Sequence, residues 1–498
     1  MNNNLLPLLV VIPLAGAFLT AFLGTTLKEN IHKKLLDLLV NLSSLGGLTI
    51  AVLIATTVFN SRTILTYNLG GWMWPVGILW RVDALSIIFL VTVNFLGFMA
   101  TLFSVGYMEK YTDKWKYYSL FLLLIAGMNT VSITGDLFNL YVFLELTTIA
   151  SYALVAFGCE ADELEASFKY LVLGSISSLF ILLAIALLYG YTSSLNMVDI
   201  SRFLLNNRMP QSLLTLITTL FFVGFSLKAA IVPFHAWLPD AHPSAPAPIS
   251  AMLSGIIIKV LGIYPIVRIF FNIITPPAQF FKIFLYLGAL SMLVGVLLAV
   301  YQWDFKRLLA YHSISQIGYV VVGIALATPL GVAAGLFHLI NHAVFKSLLF
   351  FNSGAVEYAT GTRDLHQMGG LQNSLPATSG SCLVASMSIA GIPPFNGFWS
   401  KLLIILAAIQ SGHYLIALIA VIVSIITLAS FLKVQKYAFR GEKKFGRYHL
   451  PVGMNLTMII LALACLGFSL IMIPKFYTII LDAAQQVVVA GPAVFSNL

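Results

Sequence analysis

The chain has 498 residues, of which 59% are hydrophobic and only 9% charged, with a mean hydropathy of +0.95. Soluble domains carry about 25% charged residues, so this composition excludes one and describes an integral membrane protein. The formal charge of +9 is scattered over loop ends without the clustered patch of a nucleic-acid-binding surface; the expected surroundings are a lipid bilayer, with no nucleic acid.

Apolar runs of about 20 residues mark spanning helices. Fourteen are expected, at approximately 4–26, 35–58, 82–105, 117–134, 137–158, 167–190, 212–232, 247–271, 281–301, 308–327, 331–353, 376–410, 413–437 and 452–474. The start, MNNNLLPLLVVIPLAG, lacks the basic segment and cleavage site of a signal peptide, so it is read as a retained first span. The loop from Asn60 to Trp80 alternates in strand fashion around TYNLGGWMW and predicts an external hairpin. The run 376–410 is too long for one straight span and contains GIPPFNG, which predicts a broken helix. With basic residues near a span end counted in the connection they adjoin, 16 of the 27 lysines and arginines fall in odd-numbered connections, Lys28 among them, 7 in even-numbered connections and the tail, and 4 deep inside spans. By the positive-inside rule both termini then face outside. Cys159, Cys382 and Cys465 show no ligand spacing and are read as packing residues, with no disulfide, iron–sulfur or zinc site and no cofactor.

The residues that resist this apolar pattern come next in chain order. Asp136 opens the fifth span as a cap or a lateral contact, and Glu145 lies about ten residues from either end of that span, too deep to reach water. Glu160, Asp162, Glu163 and Glu165 form either a proton-collecting patch or a solvated helix start. Lys228 lies in the seventh span with Pro233 one turn later, and Lys259 sits in the eighth. A lysine at the bilayer centre costs roughly 2.5–3.5 kcal/mol, and broken backbone persists in a membrane only where it faces protein or water. A hydrated, lysine-lined path is therefore expected. An opposite charge lowers the cost of each buried ion, so Glu145 is expected to pair with Lys228 and set its proton affinity. Asp240 and His242, after the break, are candidate gate residues. In the eleventh span His338, His342 and Lys346 recur at i, i+4 and i+8 on one face. Two such histidines could ligate zinc or pack as core, but an ammonium beside a metal is unfavourable, and a proton relay is preferred. His312 and Gln316 are placed to hydrogen-bond into that row, which Lys401, after Pro393 and Pro394, would end.

Two internal echoes point to repeats. FNLYVFLELTTIASYALVAFG at Phe138 resembles FKRLLAYHSISQIGYVVVGIA at Phe305, and VPFHAW after Lys228 matches PPFNGFW before Lys401. The expected architecture is all-α, with two inverted five-helix repeats, each holding a Pro-broken helix. Its parts are 1–116 (three spans), 117–271 (first repeat), 281–437 (second repeat) and 438–498 (last span and tail).

The stretch VPFHAWLPDAHPSAPAPISAMLSGIIIKVLGIY resembles the signature of the antiporter-like membrane subunits shared by respiratory complex I and the multisubunit Mrp cation/proton antiporters, nearest the D-type Mrp subunit in HPSAPAPISAMLSG. That resemblance implies a glutamate–lysine pair in the fifth and seventh spans at Glu145 and Lys228, a lysine ending the row at Lys401, and the plasma membrane of a bacterium. It also implies partner membrane subunits of an Mrp complex, with protons and Na+ as the ions moved. A proton-pumping subunit of complex I or of a membrane-bound hydrogenase is the alternative. Neither a Walker loop nor GxGxxG nor a nucleophile elbow is found, so a secondary transporter subunit is expected and not an enzyme; a scaffold or lipid-binding protein would need no lysines at membrane depth.

Overall fold

Each long apolar run meets a bilayer by closing its own backbone hydrogen bonds, which only a helix does within one segment. The computed structural model describes residues 5–26, 29–61, 63–472 and 474–494, so Lys28 and both chain ends lie outside the described residues. Helices α1 (Leu8–Thr26) and α2 (Glu29–Ser61) lead into strands β1 (Leu65–Asn68) and β2 (Leu79–Val82), followed by α3 (Ala84–Tyr107), α4 (Lys114–Ile133), α5 (Leu137–Val155) and α6 (Ala161–Thr192). Next come α7 (Met197–Asn206), α8 (Gln211–Ala229), α9 (Leu238–Ser244), α10 (Ala247–Met252) and α11 (Tyr264–Asn272). The remainder is α12 (Ala278–Val300), α13 (Phe305–Ala325), α14 (Pro329–Thr360), α15 (Leu371–Ser374), α16 (Pro376–Ala390), α17 (Asn396–Gln410), α18 (Tyr414–Val434), α19 (Val452–Gly467) and α20 (Pro474–Val488).

Among the described residues 13 helices are long and apolar enough to cross a membrane, and each coincides with one expected span. The expected twelfth span is divided instead: α16 and α17 have 15 residues each, and 391–395 separate them. The protein is thus a multi-pass, nearly all-helical membrane protein. Its helices are not equivalent. Ala247–Asn272 is 100% buried within the protein, whereas Leu8–Thr26 and Lys33–Ser61 are only 33% buried. The centre is therefore α10, α11, α13 and α14, and charges there can meet protein partners away from lipid.

Polar caps set where the helices begin, because the first turn leaves backbone N–H groups unpaired. Asp83 accepts from Ser86 N at 3.0 Å, Asp136 from Asn139 N at 2.7 Å and Asp304 from Arg307 N at 2.8 Å. Asp136 is thereby a cap. Glu160 and Glu163 form a capping box at the start of α6, which accounts for two of the four clustered carboxylates.

Several expectations need correction. The hairpin forms, but its second strand is Leu79–Val82, pairing Leu65 with Val82 and Asn68 with Leu79; the Gly-Gly-Trp-Met-Trp stretch is the connection, because Gly70 and Gly71 take positive φ that a strand cannot hold. The seventh span stops at Ala229 and not at 232. Pro233 thus lies outside a helix, since the residue before a proline is barred from helical geometry and Ala230 already adopts φ +54°. Four helices went unforeseen, α7, α9, α15 and α20; α7 and α20 are short and amphipathic, α9 and α15 only one or two turns long. Cys159 is exposed and not a packing residue; it sits at φ +58° in the turn before α6.

One buried ion cluster ties the elements together at the end of the bundle that carries the hairpin. Arg268, on α11, donates from both terminal nitrogens to Asp83 at 2.7 and 2.8 Å, and Arg81 on β2 lies 3.6 Å from the same carboxylate. Burial pushes the Asp83 carboxyl up, but Arg268 and Arg81 pull it further down, to well below the usual carboxylate range. Its contribution to stability is therefore present above the unfolded-state value of about 4 and is lost as the pH falls through the folded one. Replacing Asp83 by alanine removes the buried carboxylate that both guanidinium groups share, which should cost about 3–5 kcal/mol and lower the melting temperature in detergent. An unchanged melting temperature would show that the cluster is dispensable.

Candidate functional site

The site begins at the last turn of α8. Lys228, 3% exposed, donates from Nζ to Ser178 Oγ at 3.0 Å, and Ser178 is hydrogen-bonded to Glu145 Oε1. The ammonium and the carboxylate are 3.6 Å apart, so the structure brings Glu145 and Lys228 together with a hydroxyl between them. Ser178, on α6, was missed from the sequence, where a serine in SISSLF carries no signal. Glu145 departs from the fully buried position expected of it. Its side chain is 25% exposed on the flank of the bundle, against 1% for Lys228. Beyond α8 the freed backbone finds partners: Trp237 Nε1 donates to Leu227 O at 2.9 Å and Val232 N to Ser291 Oγ at 3.0 Å.

Lys259 lies at the centre of the protein with no exposure. After α10 the chain continues as two π-helical turns, Leu253–Ile257 and Lys259–Ile263, a geometry that recurs at functional sites. Within them Lys259 Nζ donates to Ser254 O at 2.6 Å and to Gly255 O. Gly262 brings this segment against the end of α8: a Cβ there would lie 2.5 Å from that of Ala229. No larger residue fits without parting the Lys228 and Lys259 elements.

His338, His342 and Lys346 share one face of α14 and are all fully buried. His338 Nδ1 is 2.9 Å from Ser400 Oγ, and its Nε2 is 3.2 Å from Gln316 Oε1. The His342 ring lies 6.4 Å from that of His338 and nearly parallel to it, and neither of its nitrogens has a hydrogen-bond partner among the described residues. The charges of Lys259 and Lys346 both reach it. Lys346 itself donates to Leu309 O at 2.5 Å. His312 is held through Nε2 by Ser430 Oγ at 2.9 Å and lies within electrostatic reach of Lys346 and Lys401.

Lys401 closes this series on α17, one residue after the Ser400 that holds His338. Its Nζ donates to Ile389 O at 2.8 Å and to Ser424 Oγ at 3.3 Å, 4.6 Å from the centre of the Tyr319 ring. Ile389 belongs to the last turn of α16, whose carbonyls have no continuing helix to accept from. The break containing Pro393 and Pro394 thus supplies the lysine's acceptor. It is pinned to α14 by a pair the sequence did not disclose: Asn341 Nδ2 donates to Asn396 O at 3.0 Å, and Asn396 Nδ2 to Asn341 Oδ1 at 3.1 Å. Asn341 stands between the two row histidines in FHLINHAVFK, which is the one signal that could have found it.

Asp240 and His242 are not brought together. Asp240 faces an open vestibule of about 760 Å³, where it pairs with Lys169 at 3.0 Å and Arg307 at 3.6 Å. His242 points inward and is fully buried. Glu160, Asp162, Glu163 and Glu165 line the same vestibule, which collects residues from the fifth, ninth and eleventh connections; these connections therefore share one face of the bundle. No group of three His, Cys, Asp or Glu placed to hold a metal occurs among the described residues.

A family model described as "NADH:quinone oxidoreductase/Mrp antiporter, TM" matches residues 134–427, and one described as "NADH-Ubiquinone oxidoreductase (complex I), chain 5 N-terminus" matches 73–118. The chain is 36% identical over 479 residues, 94% of each chain, to the D-type Na(+)/H(+) antiporter subunit of Alkalihalophilus pseudofirmus. Among solved structures it is similar to a chain of the Mrp complex from a Dietzia species, with a TM-score of 0.89, 28% identity and 98% of both chains covered. It is also similar to a chain of an archaeal respiratory membrane complex, the membrane-bound sulfane sulfur reductase, with a TM-score of 0.91, 30% identity and 99% of both chains covered.

The asparagine pair makes a stability prediction. Asn396→Ala removes the partner of both Asn341 and Ser388, and each buried polar group left unpaired costs about 1–3 kcal/mol. The purified protein should melt several degrees lower; a melting curve that superimposes on the wild type's would mean that the break needs no such pin.

Proposed function

Because the chain belongs to the NADH:quinone oxidoreductase/Mrp antiporter family of membrane subunits, we propose that it is the proton-translocating D-type subunit of a multisubunit Na+/H+ antiporter in a bacterial plasma membrane. The observation that carries this reading is the row itself. Lys228, Lys259, His338, His342, Lys346 and Lys401 are each at most 3% exposed, and each has a side chain that gains and loses a proton without leaving its place. Glu145 with Ser178 sets the proton affinity of Lys228. Protons pass between neighbouring amines and imidazoles within the plane of the membrane, the neutral amine of one site accepting what the previous site releases.

The cargo of this subunit is the proton. A hard cation such as Na+ wants several oxygen ligands, and the row is mostly nitrogen, so Na+ is handled by partner membrane subunits of the complex. The odd-numbered connections, which carry most of the basic residues, face the cytoplasm, and the broken elements α8–α9 and α16–α17 are equivalent parts of two inverted repeats, 117–271 and 281–437. The subunit is a secondary transporter component and not an enzyme. The likeness to a respiratory complex favours a second reading, in which the same row works beside a redox-driven partner; identifying the subunits that co-purify with the chain distinguishes the two.

Two substitutions test the row. Lys259→Arg keeps the charge but cannot release a proton under working conditions; the complex should assemble and lose antiport in vesicles by on the order of tenfold or more. Full antiport would make Lys259 a fixed charge only. Glu145→Gln should likewise assemble and abolish antiport, and near-normal rates would remove Glu145 from the mechanism.

A further inference from the structure

The vestibule beside Asp240 lies just outside the buried row, and nothing in the row explains the ion pair at its floor. Glu357 stands 11 residues after Lys346 on α14, about three turns along the same face. Its carboxylate, 22% exposed, is 2.9 Å from the ammonium of Lys306, which is 2% exposed and also donates to Ala245 O at 3.2 Å. The charges of Lys110 and Arg363 converge on the same carboxylate, so it is an acid held among cations at the base of an open cavity. Arg363 donates to Pro243 O at 2.5 Å. Lys306 and Arg363 thereby clamp the segment that carries His242 at the vestibule wall.

His242 is the second observation. Its ring lies 5.2 Å from that of Phe350 on α14, and neither ring nitrogen has a hydrogen-bond partner among the described residues. Leaving a buried polar group unpaired costs about 1–3 kcal/mol, so an imidazole that only filled space would be better replaced by a hydrocarbon. The charges of Lys346 and Lys259 reach this ring. Phe350 is one helical turn past Lys346 on α14, so the ring packs between the vestibule wall and the helix that carries Lys346.

We propose that the vestibule is the mouth of the proton path: Glu357, held by Lys306, takes the proton from bulk water, and His242 carries it through the wall to Lys346. The inference rests on the reading of the buried row as a proton path and adds where that path meets the solvent. A hydronium ion gives its proton to a Glu357 oxygen, which neutralises the carboxylate and loosens its hold on Lys306. Neutral His242 takes that proton on one ring nitrogen and becomes imidazolium, while Glu357 returns to a carboxylate paired with Lys306. It then loses the proton on its other nitrogen to the unprotonated amine of Lys346, and returns to neutrality in the other tautomer.

The test uses the assembled complex in vesicles, in a Cys159→Ser background because Cys159 is the exposed cysteine. The Glu357→Cys thiol should be modified by a membrane-impermeant methanethiosulfonate from one face only. Glu357→Gln and His242→Gln should lower antiport by about tenfold or more, with Glu357→Asp restoring most of it. Asp113→Asn, which removes a solvent-exposed ion pair with Lys116, should leave the rate unchanged. A thiol at 357 that stays protected from both faces overturns the proposal, whatever the rates. So do wild-type rates in both glutamine variants when Lys259→Arg is inactive, and in that case the row survives without this mouth. If Lys259→Arg is fully active, the row reading has failed and the mouth falls with it.

Discussion

An ammonium group in a membrane must end on oxygen, and in this protein that requirement decides where helices can be regular. Lys228 reaches a hydroxyl that a carboxylate holds. Lys259, Lys346 and Lys401 have no carboxylate beside them among the described residues and end on backbone carbonyls instead. A carbonyl in a continuous helix already accepts one bond and has a single lone pair to spare, which is how Leu309 on α13 serves Lys346. Two of the three lysines sit where the helix departs from α geometry: Lys259 within π-helical turns, Lys401 opposite the last turn of α16. The irregular backbone and the buried cations thus depend on each other. Regularising one would strip the acceptor from the other.

The same constraint arranges the molecule in layers. The most deeply buried helices carry the least compensated charges, while the helices that face outward on most of their surface are almost purely apolar. Glu145 is the exception, a carboxylate at membrane depth on an outer flank. Its neighbours Phe138, Val142 and Ile149 are exposed on that flank too, at 47%, 44% and 61%. A quarter-exposed acid among such side chains is poorly matched to hydrocarbon, and a protein surface is a better neighbour for it than lipid.

Much of this was legible in the residues, and the pattern of what was not has a physical cause. Spans are encoded by composition over 20 positions, so local detail barely perturbs them, and every expected crossing has its counterpart. The row on α14 was readable because the helical period puts His338, His342 and Lys346 on one face whatever surrounds them. Ser178, Asn341 and Ser400 were not readable: a hydroxyl or an amide becomes a site residue only when another helix brings a charge to it. The π-helical turns around Lys259 were hidden because Gly255 and Gly262 are equally compatible with an α-helix. α7 and α20 were missed because each is amphipathic and too short for a span, so a search for apolar runs passes over it.

The hairpin-bearing end of the bundle is closed by partners drawn from opposite ends of the sequence. The first backbone N–H of α3, at Ala84, donates to the side chain of Gln486 on α20 at 3.3 Å across 402 positions, and Asn272 on α11 binds the Gln486 carbonyl. Contacts of such separation form last and slowly, since the chain between must first be ordered. During synthesis α3 and α11 are therefore made and inserted long before the segment that seals them exists, and until then the Asp83–Arg268 ion pair is among the few polar ties that hold that end of the bundle. Its strength is a property needed by a half-made protein as much as by the finished one.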